Sequence, residues 1–279
     1  MSASVHRPPG AAQLLLRMAT VVVLVFLIAP IVVVFPLSFS SGELLTLPTP
    51  GYSWRWYEDF FTSGKWLVAT KNSFIVGIAT AVLATFLGTL GALGIFLGNF
   101  RGKAVLVAAL SLPMVVPVVV TAIAVYFAFS LVGLNNTLAG LILAHTVLSV
   151  PYVLITVLAT LQTFDRNLLK AAATLGAPPH VAFRRVVLPL IAPGVATGAL
   201  FAFATSFDEL VVAIFVASPG QFTLPRQMYA GLREFLSPTI AAAAVLLIVC
   251  SLVLLVLNEL VRARSKAHTL SIADPAEPN

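Results

Sequence analysis

Two adjacent acids, Asp208 and Glu209, lie inside a long apolar run, and Thr205 precedes them by three and four residues. If this run is one helix, the spacing places all three side chains on the same face. Carboxylates at membrane depth cost several kcal/mol and usually face a cavity or a partner group. One interpretation is therefore an acidic site of Thr205, Asp208 and Glu209 that faces a pore and attracts a cationic solute.

Two other interpretations of the acids stay open. They could form a structural pair with a basic or polar group of a neighbouring helix or subunit. They could also lie close enough to the outer surface to be hydrated. His145, which stands alone among apolar residues, could contact a solute or relay protons. A hydrogen-bonded packing residue is more typical of such a position.

A mixed, charged stretch, KAAATLGAPPHVAFRRVVLP, separates two long apolar runs and is called the basic segment here (Lys170–Pro189). Its three successive alanines are strong helix formers. Gly176 follows where a helix commonly ends in a left-handed conformation. Pro178 and Pro179 suit the first turn of a second short helix. The pattern predicts a helix–turn–helix at the membrane surface, closed by Leu188-Pro189 just before the next span.

The composition is that of an integral membrane protein. Of 279 residues, 59% are hydrophobic and 9% are charged, whereas a soluble domain has about a quarter charged residues. Apolar runs of about 20 residues predict membrane-spanning helices, while a membrane barrel would show short alternating segments. The net charge of +6 does not indicate nucleic acid, because the basic residues lie at the ends of these runs. The lone Cys250 excludes a disulfide within the chain.

Six apolar runs predict an all-α protein with six transmembrane helices. Pro113 and Pro117 predict a kink or a break in the third run. Residues 224–235 read as a short amphipathic helix on the outer surface, and residues 262–279 as a polar, mobile tail. The runs cover residues 18–37, 74–97, 104–131, 138–161, 190–216 and 240–261.

The basic residues predict the orientation of these spans. Six spans place both termini on one side, which then holds all of the 16 Lys and Arg residues except Arg55, Lys65, Lys71, Arg226 and Arg233. Cytoplasmic loops carry the excess of Lys and Arg. The charge distribution therefore predicts cytoplasmic N- and C-termini and a cytoplasmic loop at residues 162–187.

The spacing within the basic segment resembles the cytoplasmic Glu-Ala-Ala loop of binding-protein-dependent ABC importer permeases. One position departs from that pattern, because Lys170 stands where the family has Glu and so reverses the charge. The matching positions are Lys170, Ala171, Ala172, Gly176, Val186, Leu188 and Pro189. The resemblance implies that this loop, together with Arg184 and Arg185, docks into a cleft on an ATP-binding subunit.

The same resemblance implies the rest of the assembly. It implies the type I ABC importer permease bundle in a bacterial inner membrane, surrounded by lipid. The expected partners are a second permease subunit, a dimer of ATP-binding subunits and an extracytoplasmic solute-binding protein. The chain has no P-loop to cradle ATP, so we expect no enzyme activity, cofactor or metal here, and ATP and magnesium in the partner ATPase.

The resemblance also divides the chain into three parts. Residues 1–66 would hold the N-terminal tail, first helix and outer loop. Residues 67–261 would form the core with the coupling loop, and residues 262–279 the cytoplasmic tail.

Four stretches resemble spermidine/putrescine importer permeases and imply a cationic solute. They are GYSWRWYEDFF, SFDELVVAIF, SPGQFTLPRQMY and SPTIAAAAVLLI. Import of another small solute, such as 4-aminobutyrate, an amino acid or an opine, stays open. Two other classes of membrane protein also stay open. A secondary transporter would need ion-coupling sites, usually at broken helices in inverted repeats, and a membrane scaffold would transport nothing.

Overall fold

The computed structural model describes residues 11–234 and 236–273, and within these ranges the regular elements are helices. Five of these helices are long and apolar enough to cross a membrane. They are α1 (Ala11–Ser38), α3 (Gly64–Leu97), α6 (Leu138–Gln162), the continuous helix Pro179–Phe207, and α12 (Pro238–Ala273). Each contains one of the predicted apolar runs in whole or in large part.

The sixth apolar run is a bent pair, α4 (Lys103–Val115) and α5 (Val118–Val132), whose axes differ by 102°. Val116 is extended between them, with φ −71° and ψ 133°. The cause is Pro117, because proline disfavours the helical conformation in the residue before it and lacks an N–H. The predicted kink or break is thus a break, and the pair counts as a sixth span if it crosses the membrane as one unit.

The expected boundary at Leu188-Pro189 is wrong. Helix α8 (Pro179–Ala182), a π-helical turn (Phe183–Val187) and α9 (Leu188–Phe207) follow one another without interruption. In the π turn the N–H of Leu188 donates to the carbonyl of Phe183, five residues earlier. This wider turn lies next to Pro189, which has no N–H to offer a regular helix. The second helix of the basic segment therefore continues into the span.

The prediction of one helix over residues 190–216 is also wrong, in the C-terminal part of this run. Helix α9 stops at Phe207 and α10 (Val211–Val216) starts anew, which leaves an acidic break at residues 208–210. The carboxylate of Glu209 accepts a hydrogen bond of 3.0 Å from the N–H of Val212. An acid that bonds the free N–H groups of a following helix favours a new helix start over a continued one.

The last helix continues past the sixth apolar run, which ends at Val261. Helix α12 extends to Ala273, so residues 262–273 of the expected tail are helical, and residues 274–279 lie outside the described residues. The short helix expected at residues 224–235 is present as α11 (Leu224–Glu234), and Phe235 lies outside the described residues.

Contacts divide the chain into two units. One unit reaches Thr62 and includes Gly231–Leu247, and the other comprises Ser63–Ala230 and the chain from Ile248 onward. In the first unit α1 exposes an apolar surface along residues 12–33, as a lipid-facing helix does. Next to it, α2 (Arg55–Thr62) is held by the indole N–H of Trp56, which donates to the carbonyl of Ser40 at 2.7 Å.

The core of the second unit consists of α3, α6 and α9. A Cβ added at Gly88 of α3 would lie 2.7 Å from the Cβ of Val153 in α6, and one at Gly198 of α9 would lie 3.0 Å from the Cα of Val153. Val153 itself is fully buried. Small residues on both flanking helices therefore let three backbones approach closely, the usual way in which helices associate in lipid.

Candidate functional site

The basic segment has the predicted helix–turn–helix start. Helix α7 (Asn167–Thr174) ends before Gly176, which has φ 77°. The N–H of Gly176 donates to Ala173 (2.9 Å) and that of Ala177 to Ala172 (3.0 Å), which satisfies carbonyls at the end of α7. Pro179 then opens α8. The left-handed glycine and the helix start at the prolines are confirmed.

Most residues of the expected docking surface are exposed. Ala172 and Val186 are half-buried. The exposed ones are Lys170, Ala171, Gly176, Arg184, Arg185, Leu188 and Pro189. The side chain of Leu175, which sequence reasoning did not single out, is 87% exposed beside the turn. It places one large apolar side chain next to the residues of the expected docking surface.

The acidic break separates the roles of its two carboxylates. Asp208 is exposed and borders a cleft of about 130 Å³ between α9 and α12, in which Asn258 is buried. Glu209 is half-buried and caps α10. Thr205 is half-buried within α9. The expected common face is interrupted, because Asp208 and Glu209 both follow Phe207, the last residue of α9, and the i, i+4 rule applies only inside a helix.

A family model described as a binding-protein-dependent transport system inner membrane component matches residues 84–267. This range is well over half of the chain and contains the whole basic segment and the acidic break. The chain belongs to this family. The resemblance seen in the spacing of the basic segment is thereby confirmed, and the protein is a multi-pass ABC permease subunit of the membrane.

Two permeases of known transport systems are similar to this chain over most of its length. The spermidine/putrescine transport system permease protein PotC of Haemophilus influenzae is 33% identical over 244 residues, which cover 88% of this chain and 95% of PotC. The putrescine transport system permease protein PotI of Escherichia coli K12 is 33% identical over 232 residues, 80% of this chain and 82% of PotI. Both relatives are named as transport permeases.

Solved structures confirm the fold of the permease. A bacterial ABC transporter involved in the import of the acidic polysaccharide alginate contains a chain with a TM-score of 0.67 and 16% identity, covering 91% of this chain and 98% of that one. At this identity the likeness concerns the fold alone. The predicted all-α permease bundle is therefore confirmed.

His145 lies in a buried polar layer between α6 and α9 of the permease. Its Nδ1 is 2.9 Å from the Oγ of Ser206, and both side chains are buried. Nearby, the hydroxyl of Ser149 donates to the carbonyl of Ala202 at 3.3 Å. These contacts fit the interpretation of His145 as a hydrogen-bonded packing residue, since a buried polar group needs such a partner.

A second polar contact, which sequence reasoning missed, ties α3 to the loop before α11. The side-chain amide of Asn72 donates to the carbonyls of Gly220 (3.0 Å) and Phe222 (3.1 Å). The hydroxyl of Ser73 accepts from the N–H of Leu224 at 2.7 Å. Two adjacent polar residues at the start of an apolar run were the available signal. They fix residues 220–224, called loop 220–224 here, on the N-terminal part of α3.

Proposed function

We propose that this chain is one permease subunit of an ATP-driven importer for a small cationic solute, with spermidine and putrescine as the expected substrates. The observation that carries this proposal is the 33% identity to PotC over 88% of the chain. The substrate is inferred by similarity, and the exposed carboxylate of Asp208 at the cleft supports it. Carboxylates at membrane depth usually serve a substrate or ion pathway.

The basic segment is proposed to dock on the ATP-binding subunit. Its exposed surface, its tight turn at Gly176 and the apolar tip at Leu175 support this role. The proposed assembly has two permeases, two ATP-binding subunits that hold ATP and magnesium, and an extracytoplasmic solute-binding protein. ATP would draw the ATP-binding subunits together, and the docked segments would tilt the spans and open the path to the other side.

A second candidate substrate follows from the different roles of the two acids. The carboxylate of Glu209 is engaged by the N–H of Val212, which leaves Asp208 as the exposed acid of the break. One exposed carboxylate suits a solute with a single ammonium group, such as 4-aminobutyrate, another amino acid or an opine. The machinery would be the same.

Uptake in a deletion strain tests the function. Complementation with this chain and its partner subunits should restore ATP-dependent uptake of radiolabelled spermidine or putrescine. A binding assay on the solute-binding protein with polyamines, 4-aminobutyrate and opines should show the same preference. Uptake that survives ATP depletion and stops with an ionophore would instead identify an ion-coupled secondary transporter, and tight binding of 4-aminobutyrate alone would favour the second candidate.

The proposed orientation, with cytoplasmic termini and a cytoplasmic basic segment, is tested by cysteine labelling. His180→Cys, an exposed position in α8, is placed in a Cys250→Ala background. This cysteine should resist membrane-impermeant thiol reagents in intact spheroplasts and react in inverted vesicles. Thr62→Cys, exposed between the first two spans, is the matched control and should show the reverse. Labelling of both positions from the same side would contradict the orientation.

A further inference from the structure

Arg166 joins the start of the basic segment's helix to the end of α3. It precedes α7, and its guanidinium donates a hydrogen bond to the carbonyl oxygen of Phe96. The same guanidinium lies 4.4 Å from the centre of the Phe96 ring. The Phe96 ring also meets the ring of Phe164 edge-on, with the ring centres 6.0 Å apart. We call this contact of Arg166 with Phe96 the clasp.

The clasp provides the C-terminal end of α3 with a positive charge that its own last turn lacks. The last four carbonyls of a helix lack partners within the helix, and its C-terminus attracts cations. The last turn of α3 contains no basic residue, so Arg166 brings the cation from 70 positions away in the sequence. A guanidinium can donate a hydrogen bond in its plane and stack its face on an aromatic ring at once, which an ammonium cannot do.

Helix α3 connects the clasp with the other side of the bundle. It has 34 residues and so spans about 50 Å at 1.5 Å per residue. In its N-terminal part, Asn72 and Ser73 hold loop 220–224 through three hydrogen bonds. Between these residues and the clasp, α3 packs closely on α6 at Gly88. A displacement of α7 that is passed to α3 by the clasp would therefore reach loop 220–224 through one stiff element.

We propose that Arg166 is a positioning residue that transmits movement of the basic segment to α3 and from there to loop 220–224. This inference rests on the proposed docking role of the basic segment. Arg166 would not touch solute or ATP. Its contribution would be to keep the end of α3 and the start of α7 together while the ATP-binding subunits close. Loss of the clasp should therefore uncouple hydrolysis from import, with hydrolysis itself retained.

The test uses the complete importer, with both permeases, the ATP-binding subunits and the solute-binding protein, in proteoliposomes. The quantity measured is solute imported per ATP hydrolysed. Arg166→Ala should lower this ratio about fivefold, within the usual range of coupling between distant sites. Arg166→Lys should lie between Arg166→Ala and wild type. Arg101→Ala is the matched control, because Arg101 is exposed just after the same helix and its side chain makes no hydrogen bond or ion pair within the described residues.

A distance measurement separates this role from a general structural one. Spin labels are attached to cysteines introduced at Leu97, the last residue of α3, and Ala173 in α7, in a Cys250→Ala background. ATP should leave their separation unchanged in the parent and should shift or broaden it in Arg166→Ala. If Arg166→Ala does not accumulate in the membrane, the import ratio and the label separation are measured on Arg166→Lys and Phe96→Leu instead. Phe96→Leu keeps the carbonyl bond and removes the ring.

The outcomes distinguish the clasp from the docking proposal. Gly176→Arg is run in the same assay. In one outcome Gly176→Arg stops import, while Arg166→Ala matches Arg101→Ala both in solute imported per ATP and in label separation. The transmitting role of Arg166 is then wrong, and the docking role of the basic segment stands. If Gly176→Arg imports normally, the docking role fails and the inference about Arg166 fails with it.

Discussion

Gly176→Arg is expected to abolish uptake while the permease still inserts into the membrane. The backbone of Gly176 has φ 77°, a conformation that costs other residues about 1–2 kcal/mol. A Cβ there would meet nothing within 4 Å in the described part of the chain, so internal clashes add nothing to this cost. The larger effect is that an arginine side chain would project from the turn that is proposed to enter the cleft of the ATP-binding subunit.

Gly102→Arg is the matched control for this substitution. Gly102 also has a left-handed backbone, with φ 92°, and open space around its would-be Cβ. Gly102→Arg has the same conformational cost of about 1–2 kcal/mol, but it lies outside the basic segment. A cost of this size is common for single substitutions, so we expect uptake per permease to stay within about twofold of wild type. The measurements are uptake and ATPase activity per permease quantified by immunoblot. Normal uptake and ATPase activity in Gly176→Arg would contradict the docking role.

Asp208→Asn is expected to lower uptake of a cationic solute about tenfold or more per assembled complex. Opposite charges about 4 Å apart attract by roughly 4 kcal/mol at an effective dielectric near 20, before desolvation is subtracted. A net loss of about 1.4 kcal/mol already corresponds to a factor of ten. Asp208 is exposed at the cleft between α9 and α12, so its neutral isostere should leave assembly and basal ATPase activity intact.

Glu209 provides the comparison that separates charge from structure. Glu209→Gln keeps a side-chain oxygen for the N–H of Val212 and removes only the charge. Glu209→Ala removes the cap of α10, which costs about 0.5–2 kcal/mol and should lower the amount of assembled complex. If Asp208→Asn, Glu209→Gln and the double substitution all leave uptake per complex unchanged, the acids lie outside the substrate path. The polyamine proposal would then depend on similarity to PotC and PotI alone.

Local physical chemistry made much of this permease predictable from its sequence. Apolar runs of membrane length specify helices wherever the surrounding solvent is lipid. Gly176 specifies a left-handed turn because glycine adopts positive φ without steric cost. The prolines at 178–179 specify a helix start because proline fixes φ at a helical value. Pro117 breaks the third run for the same reason. These features depend on a few consecutive residues, and the structure contains all of them.

The errors arose where a local signal has two structural solutions. Leu188-Pro189 ends a helix in most contexts, yet here a π turn carries the helix past the proline. The acids at 208 and 209 could lie on one face of a continuous helix or in a break. Burial of Val212 and Val216 of α10 against Ala122 of α5 and Ala144 of α6, together with the bond from the N–H of Val212 to Glu209, selects the break. Neither choice is visible in a residue pattern, because the competing conformations differ by only a few hydrogen bonds.

Only the tertiary structure could decide which distant residues meet. Arg166 contacts Phe96, which lies 70 positions earlier, and Asn72 bonds carbonyls 148 and 150 positions later. The sequence marks these residues as an ordinary boundary cation and an ordinary polar residue at a helix start. Their pairing is set by how α3, α6 and α9 pack through Gly88, Val153 and Gly198. Packing depends on the shapes of three surfaces at once, whereas hydropathy and turn signals report only one chain segment at a time.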